Sequence, residues 1–170
     1  MRVLNVGVVG CGGIANNKHL PAMKRVGNMN IVAFCDLIKE RAEKAREDFG
    51  TPDARVYTDY QELVKEDLDA VYVLTPNSSH APVAIAAMQA GKHVLCEKPM
   101  AKTFAEAQEM VKTAKETGKI LTIGYQNRYR GDSQYLKKAC ANGDLGEIYY
   151  AKAHAIRRRA VPTWGVFLDA

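Results

Sequence analysis

The stretch Val3-Leu4-Asn5-Val6-Gly7-Val8-Val9-Gly10-Cys11-Gly12-Gly13-Ile14-Ala15 decides the fold. Residues 3–9 are nearly continuous apolar, the pattern of a strand covered on both faces of a parallel sheet. The strand runs into a glycine turn with Gly10, Gly12 and Ala15 in GxGxxA spacing, and a helical segment begins near Gly13. Gly10 permits the tight turn, Gly12 lets the backbone approach a pyrophosphate, and small Ala15 lets helix and strand pack. Amides at the helix start, around Gly13 and Ile14, then point at the anion, helped by the helix dipole. A glycine trio alone is ordinary turn chemistry. Directly after a buried strand it predicts a dinucleotide site.

Working outward, the same alternation continues. Residues 31–35, 70–74, 93–96 and 120–123 read as further buried strands, with a shorter candidate at Val56-Tyr57. Between them, Ile38, Ala42, Ala45 and Phe49 recur at helical spacing, with Gly50 as the stop. Asp59 and Glu62 have capping-box spacing, as do Thr103 and Glu106. Residues 80–90 are an Ala-rich helix ended by Gly91, and the helix after Thr103 closes at Gly118. Strand–helix alternation with parallel-type strands predicts an α/β fold, a doubly wound parallel sheet with helices on both faces.

After Gly124 the rhythm changes. Tyr135, Leu136, Ala139 and Cys140 predict one more helix ending near Asn142-Gly143, and residues 147–157 alternate as a candidate strand. A lone strand leaves its backbone groups unpaired. Residues 1–124 are therefore expected to form the dinucleotide-binding domain, and residues 125–170 the start of an incomplete second, α+β domain.

Composition removes other classes. The 170 residues are 47% hydrophobic and 25% charged, which excludes a disordered chain. No apolar run reaches the roughly 18 residues of a membrane span, and residues 1–6 lack signal-peptide organisation. The four cysteines form no CxxC pair, so neither a disulfide framework nor a metal site is expected, and a cytoplasmic location is the default. Net charge is +5, yet residues 1–118 hold 15 basic and 15 acidic side chains. The excess lies in residues 119–170, with 9 against 4, notably Arg157-Arg158-Arg159. So local an excess is not the broad basic face of a nucleic-acid binder.

Three more loops leave strand ends with chemistry on them. Asp36 follows its strand 26 residues after Gly10, where a carboxylate accepts from both adenosine ribose hydroxyls and repels a 2′-phosphate, favouring NAD. Lys39 and Arg41 keep NADP open, and an N-cap ahead of Ile38 is a second role for Asp36. Thr75-Pro76-Asn77-Ser78-Ser79-His80 offers backbone amides and Asn77 to the nicotinamide half, with Ser79 as a helix cap. His80 reads as a cofactor-side group, with a plain helix-start histidine as the alternative. In Glu97-Lys98-Pro99, the proline keeps Lys98 out of the helical region, so its ammonium projects over the sheet edge.

Together, Gly10-Cys11-Gly12-Gly13-Ile14-Ala15, Thr75-Pro76-Asn77 with His80, Glu97-Lys98-Pro99 and Gly124-Tyr125-Gln126-Asn127-Arg128-Tyr129 resemble the Gfo/Idh/MocA oxidoreductases, relatives of glucose–fructose oxidoreductase and inositol dehydrogenase. The resemblance extends through Gly146-Glu147-Ile148 to Trp164-Gly165. It implies nicotinamide-dependent hydride transfer at a carbinol carbon of a sugar, cyclitol or similar polyol. In that reading Lys98 donates to the substrate oxygen, while Glu97 supports the nicotinamide ribose or orients the lysine. Gln126 and Asn127 line the nicotinamide side, and Arg159 and Trp164 lean over the cofactor. The family continues into an open antiparallel sheet with a paired Asp and His, through whose face its members pair. Neither follows Ala170. The resemblance thus implies a homo-oligomeric parent and a 170-residue chain that binds dinucleotide but turns over slowly. An NAD-dependent glycosidase of the same family and a non-catalytic dinucleotide-binding module are the alternatives.

Overall fold

The protein is described from a computed structural model, which covers residues 2–154 and 156. Six parallel strands, β1 (Leu4–Val9), β2 (Met29–Cys35), β3 (Arg55–Tyr57), β4 (Ala70–Val73), β5 (His93–Cys96) and β6 (Leu121–Ile123), form one sheet in the order β3-β2-β1-β4-β5-β6. The order reverses at β1, so the crossovers on its two sides cover opposite faces. On one face α1 (Leu20–Val26) and α2 (Lys39–Phe49) bury Leu20, Met23, Ala42 and Ala45 against Val6, Val8, Ile31 and Phe34. On the other, α3 (Tyr60–Leu63), α4 (His80–Gln89) and α5 (Phe104–Thr117) bury Leu63, Val83, Met88 and Met110 against Val9, Val71, Val73 and Val94. The period-two alternation within β1 thus feeds two cores. Gly7 is part of this packing, because a Cβ there would meet Leu68 at 2.8 Å and Leu63 at 2.9 Å.

Element ends follow their local chemistry in part. The Thr103–Glu106 capping box is complete: Thr103 Oγ1 accepts from the Glu106 amide at 3.2 Å, and Glu106 Oε2 accepts from the Thr103 amide at 2.9 Å. The expected Asp59–Glu62 box is only half made. Asp59 accepts from the Gln61 amide at 2.8 Å, while the Glu62 carboxylate is taken by Lys65 at 2.6 Å and does not turn back to the Asp59 amide. Ser79 makes no capping bond, since the 3-10 turn Asn77–Ser79 already runs into α4. Gly50 ends α2 in an extended conformation, not a left-handed one; a Cβ would lie 2.8 Å from the Arg46 carbonyl and 2.9 Å from Phe34. The helix expected from Gly13 passes through a π turn, Ala15–His19, before continuing as α1.

The chain divides into two compact units after Gly124. In the second, the 3-10 turn Gln126–Tyr129 leads to α6 (Gly131–Asn142), which ends at left-handed Gly143. The strand expected at 147–157 is absent from the described residues 147–154 and 156, where no neighbouring strand supplies a ladder. Arg157-Arg158-Arg159 and Trp164 lie outside the described residues. No helix among the described residues is long and apolar enough to cross a membrane.

Burial pushes the thiols of Cys11, Cys35 and Cys96 up to about 12, and adjacent carboxylates, Asp36 for the first two and Glu97 for the third, push the same way. Cys140 is exposed. An aromatic disulfide reagent is therefore expected to label Cys140 alone in the native protein and the three buried thiols only after unfolding. Loss of the complete capping box in Thr103→Ala should lower the urea-unfolding free energy by about 1 kcal/mol.

Candidate functional site

The site grows from the exit of β1. Gly10 has φ +94°, and a Cβ there would lie 2.6 Å from the backbone of Leu74 and 2.8 Å from the Thr75 amide nitrogen. The β1 and β4 exits therefore touch, and only glycine lets them. The Gly10 amide donates to the Cys35 carbonyl at 2.8 Å, and the Leu74 amide to the Val9 carbonyl at 2.8 Å. Gly12 differs: nothing lies within 4 Å of where its Cβ would stand, so open space faces its backbone. Beside this turn the Thr75 hydroxyl is buried without a hydrogen-bond partner. An open glycine backbone and a helix start whose first amides lack i−4 acceptors fit the phosphate-bearing half of a dinucleotide, and the orphaned Thr75 hydroxyl on the neighbouring β4 exit fits a polar group farther along it.

Asp36 joins the turn directly. Its Oδ2 accepts from the Cys11 amide at 2.8 Å and its Oδ1 from the Ile38 amide at 2.9 Å. Helix α2 begins beyond it with Ile38 as an uncapped N-cap, so Asp36 organises an Asx turn ahead of the helix and does not cap it. Each oxygen keeps a free lone-pair site for a hydroxyl. Arg41 stands exposed on the first turn of α2, and Lys39 pairs with Glu43 at 3.2 Å.

The β4 and β5 exits meet through His80, which is 1% exposed. Its Nδ1 lies 2.7 Å from the Pro99 carbonyl and its Nε2 3.0 Å from the Thr75 carbonyl. Both ring nitrogens face main chain, so His80 enters the rim through the loops it joins, and Pro76 and Asn77 lie on the turn above it. Glu97 is 8% exposed; its Oε2 accepts from the Lys98 amide at 3.0 Å, and its Oε1 lies 2.7 Å from His19 Nε2. The Lys98–Pro99 peptide bond is cis. Lys98 is exposed, and its ammonium makes no hydrogen bond or ion pair among the described residues.

One end of the sheet thus gathers Gly10, Gly12, Gly13, Ile14, Asp36, Arg41, Thr75, Pro76, Asn77, His80, Glu97 and Lys98. Gln126 and Asn127 lie in the second unit, on its 3-10 turn. Two residues with no sequence signal of their own also belong to the rim. Asn16 Nδ2 donates to the carbonyls of Cys11 at 2.7 Å and Gly12 at 3.0 Å, closing the glycine turn from its helix side. His19 is the other. Neither stands in a motif: each is only a polar residue within the first helical segment.

The model of the oxidoreductase family with an NAD-binding Rossmann fold matches residues 4–125. The D-glucoside 3-dehydrogenase of Escherichia coli (strain K12) is 39% identical over 167 residues, 98% of this chain and 47% of that protein. An inositol 2-dehydrogenase of Salmonella typhimurium is 31% identical over 163 residues, 95% of this chain and 48% of that protein. The crystal structure of the WlbA dehydrogenase from Bordetella pertussis, in complex with NADH and UDP-GlcNAcA, superposes with a TM-score of 0.80 at 34% identity, covering 87% of this chain and 45% of that one. The chain spans about half the length of the curated relatives it matches. With the glycine turn, the β1/β4 switch point and the Glu97-Lys98-Pro99 exit all on one rim, and with residues 4–125 matched throughout, the chain belongs to the Gfo/Idh/MocA oxidoreductase family and carries its NAD-binding Rossmann fold.

Proposed function

We propose that the protein carrying this chain is a dehydrogenase that moves a hydride between a nicotinamide dinucleotide, NAD in preference to NADP, and a carbinol carbon of a sugar, cyclitol or similar polyol. The observation that carries this reading is the exposed, unpaired Lys98 on a turn whose backbone is held at the same rim as the open Gly12 backbone. When bound, the nicotinamide supplies the hydride chemistry. Gly12, Gly13 and Ile14 hold the pyrophosphate with main-chain amides, and Asp36 accepts from the adenosine ribose. Thr75, Pro76 and Asn77 position the nicotinamide half. Lys98 donates to the substrate oxygen and steadies the negative charge that develops there as the carbinol proton leaves. Glu97 orients Lys98, since one oxygen already accepts from the lysine's own amide. The dehydrogenases among the relatives support the same substrate class.

The test is a panel of sugars and cyclitols incubated with NAD and the whole protein. Steady accumulation of reduced nicotinamide with one polyol is expected; glycosidic cleavage without net reduction would replace this reading with a glycosidase. Lys98→Met should lower kcat by about 10²–10³-fold while the NADH dissociation constant, read by fluorescence titration, stays within about threefold. Asp36→Ala should weaken NAD binding by about 10–100-fold, the loss of charge-assisted hydrogen bonds, and narrow the gap to NADP. An unchanged NAD-to-NADP ratio would show that Asp36 serves only the Cys11 and Ile38 amides.

A further inference from the structure

We propose that His19 and His80 are positioning residues for Lys98. They clamp the Glu97-Lys98-Pro99 turn from two sides, one through the Glu97 carboxylate and the other through the Pro99 carbonyl. The inference rests on the role given to Lys98 above, but the clamp itself is testable without nucleotide or substrate.

The first jaw begins with a buried carboxylate. Glu97 has lost most of its water, and such a group persists only where hydrogen bonds replace it. Two are present: His19 Nε2 at 2.7 Å from Oε1, and the Lys98 amide at 3.0 Å from Oε2. Gly124 walls the same carboxylate, for a Cβ there would lie 3.3 Å from Oε1. One side chain therefore joins the helix that follows the glycine turn to the backbone of Lys98.

The position of His19 is itself built. Within the π turn the Leu20 amide donates to the Ala15 carbonyl, an i→i+5 bond. Ala15 and Leu20 are both fully buried, and His19 directly precedes Leu20 in the chain. Its ring meets Tyr72 of β4 edge-to-face, with centroids 6.3 Å apart at 73°. That contact holds the ring on one side while Nε2 faces Glu97.

The second jaw is His80. It lies between the Thr75 and Pro99 carbonyls, which are acceptors only; a neutral imidazole carries one N–H, and in the Nδ1–H tautomer it donates to the Pro99 carbonyl, the shorter of the two contacts at 2.7 Å. Between the jaws, the Lys98 backbone is held while its ammonium stays free. This is preorganisation: the charge waits in place and needs no reorganisation when an anion develops. Because His19 belongs to the helix that starts at the glycine turn, the clamp also links the placement of the pyrophosphate to that of the lysine.

The experiment is site-resolved amide hydrogen exchange on the ligand-free 170-residue chain. His19→Phe keeps a ring against Tyr72 but removes the donor, whereas His19→Gln keeps a donor near the Nε2 position. Exchange at the Lys98 amide should rise about tenfold or more in His19→Phe and return to within about threefold of wild type in His19→Gln, the effect of one hydrogen bond to a charged group. Amides of β1 and β4 report on the fold in the same spectra and should keep their protection. Unchanged Lys98 exchange in His19→Phe, with the strands protected, overturns the proposal, as does equal acceleration in both variants. If His19→Phe loses strand protection, His80→Gln, which places a donor toward the Thr75 carbonyl near the Nε2 position but removes the one at Nδ1 that faces Pro99, decides in its place: the Lys98 amide should then exchange faster than wild type while β1 and β4 stay protected, and no change refutes the clamp. NADH titration of the same samples separates the two readings, because a wild-type chain that binds no nucleotide refutes the proposed function and leaves the clamp result standing.

Discussion

A side chain at position 10 would stand 2.6 Å from the backbone of Leu74, and everything at the rim depends on its absence. The β1 and β4 exits press together at this point, then part as one chain turns toward each face of the sheet. The parting makes the crevice. A Cβ at Gly10 would push the β4 exit away and move Thr75, and through the His80 ring it would move the Pro99 turn as well. Gly12 has the opposite reason for being glycine. A Cβ there would meet nothing within the fold, so the space beside it is open to a ligand. Two glycines two residues apart thus serve different physics, one for the protein's own packing and one for what the protein holds.

Around that crevice the polar groups divide into those that hold the rim and those left free. Asp36, Asn16, Glu97, His19 and His80 each bond to main chain or to one another, so the loops they anchor lose freedom in the folded state. The Lys98 ammonium and the space beside Gly12 are left open. Such a division suits a site in which the ligand's binding energy should not be consumed in ordering loops. Asp36 shows that one carboxylate can take both parts. It fixes the Cys11 amide while each oxygen retains a lone pair for a hydroxyl.

The shared architecture with the D-glucoside and inositol dehydrogenases covers nearly all of this chain and about half of theirs. What is common therefore includes the NAD-binding Rossmann fold matched over residues 4–125. That the Glu97-Lys98-Pro99 turn sits on the rigid sheet end, directly after β5, explains how a lysine on a loop is held to a fixed position. The Glu97 amide donates to the Val73 carbonyl at 2.9 Å, so the loop's first residue is still part of the sheet.

Local patterns carried most of the fold. The apolar runs of all six strands, the Thr103–Glu106 box and the glycine stops at Gly91, Gly118 and Gly143 are statements about a few consecutive residues, and neighbouring chemistry suffices for them. The expectation of a strand at 147–157 went too far, because alternation marks a face but a strand also needs a partner. The same limit applied at the rim. Gly10, Asp36 and Lys98 could be read as chemistry at strand exits, since parallel topology sends all exits to one edge. Which groups bind one another across that edge could not: His19 and Glu97 are 78 residues apart, and their bond joins the end of a π turn to the β5 exit. Sequence determines what lies on each element through short-range sterics and solvation. The fold alone decides which side chains become neighbours, because hydrogen bonds act over about 3 Å and distance along the chain says nothing about distance in space.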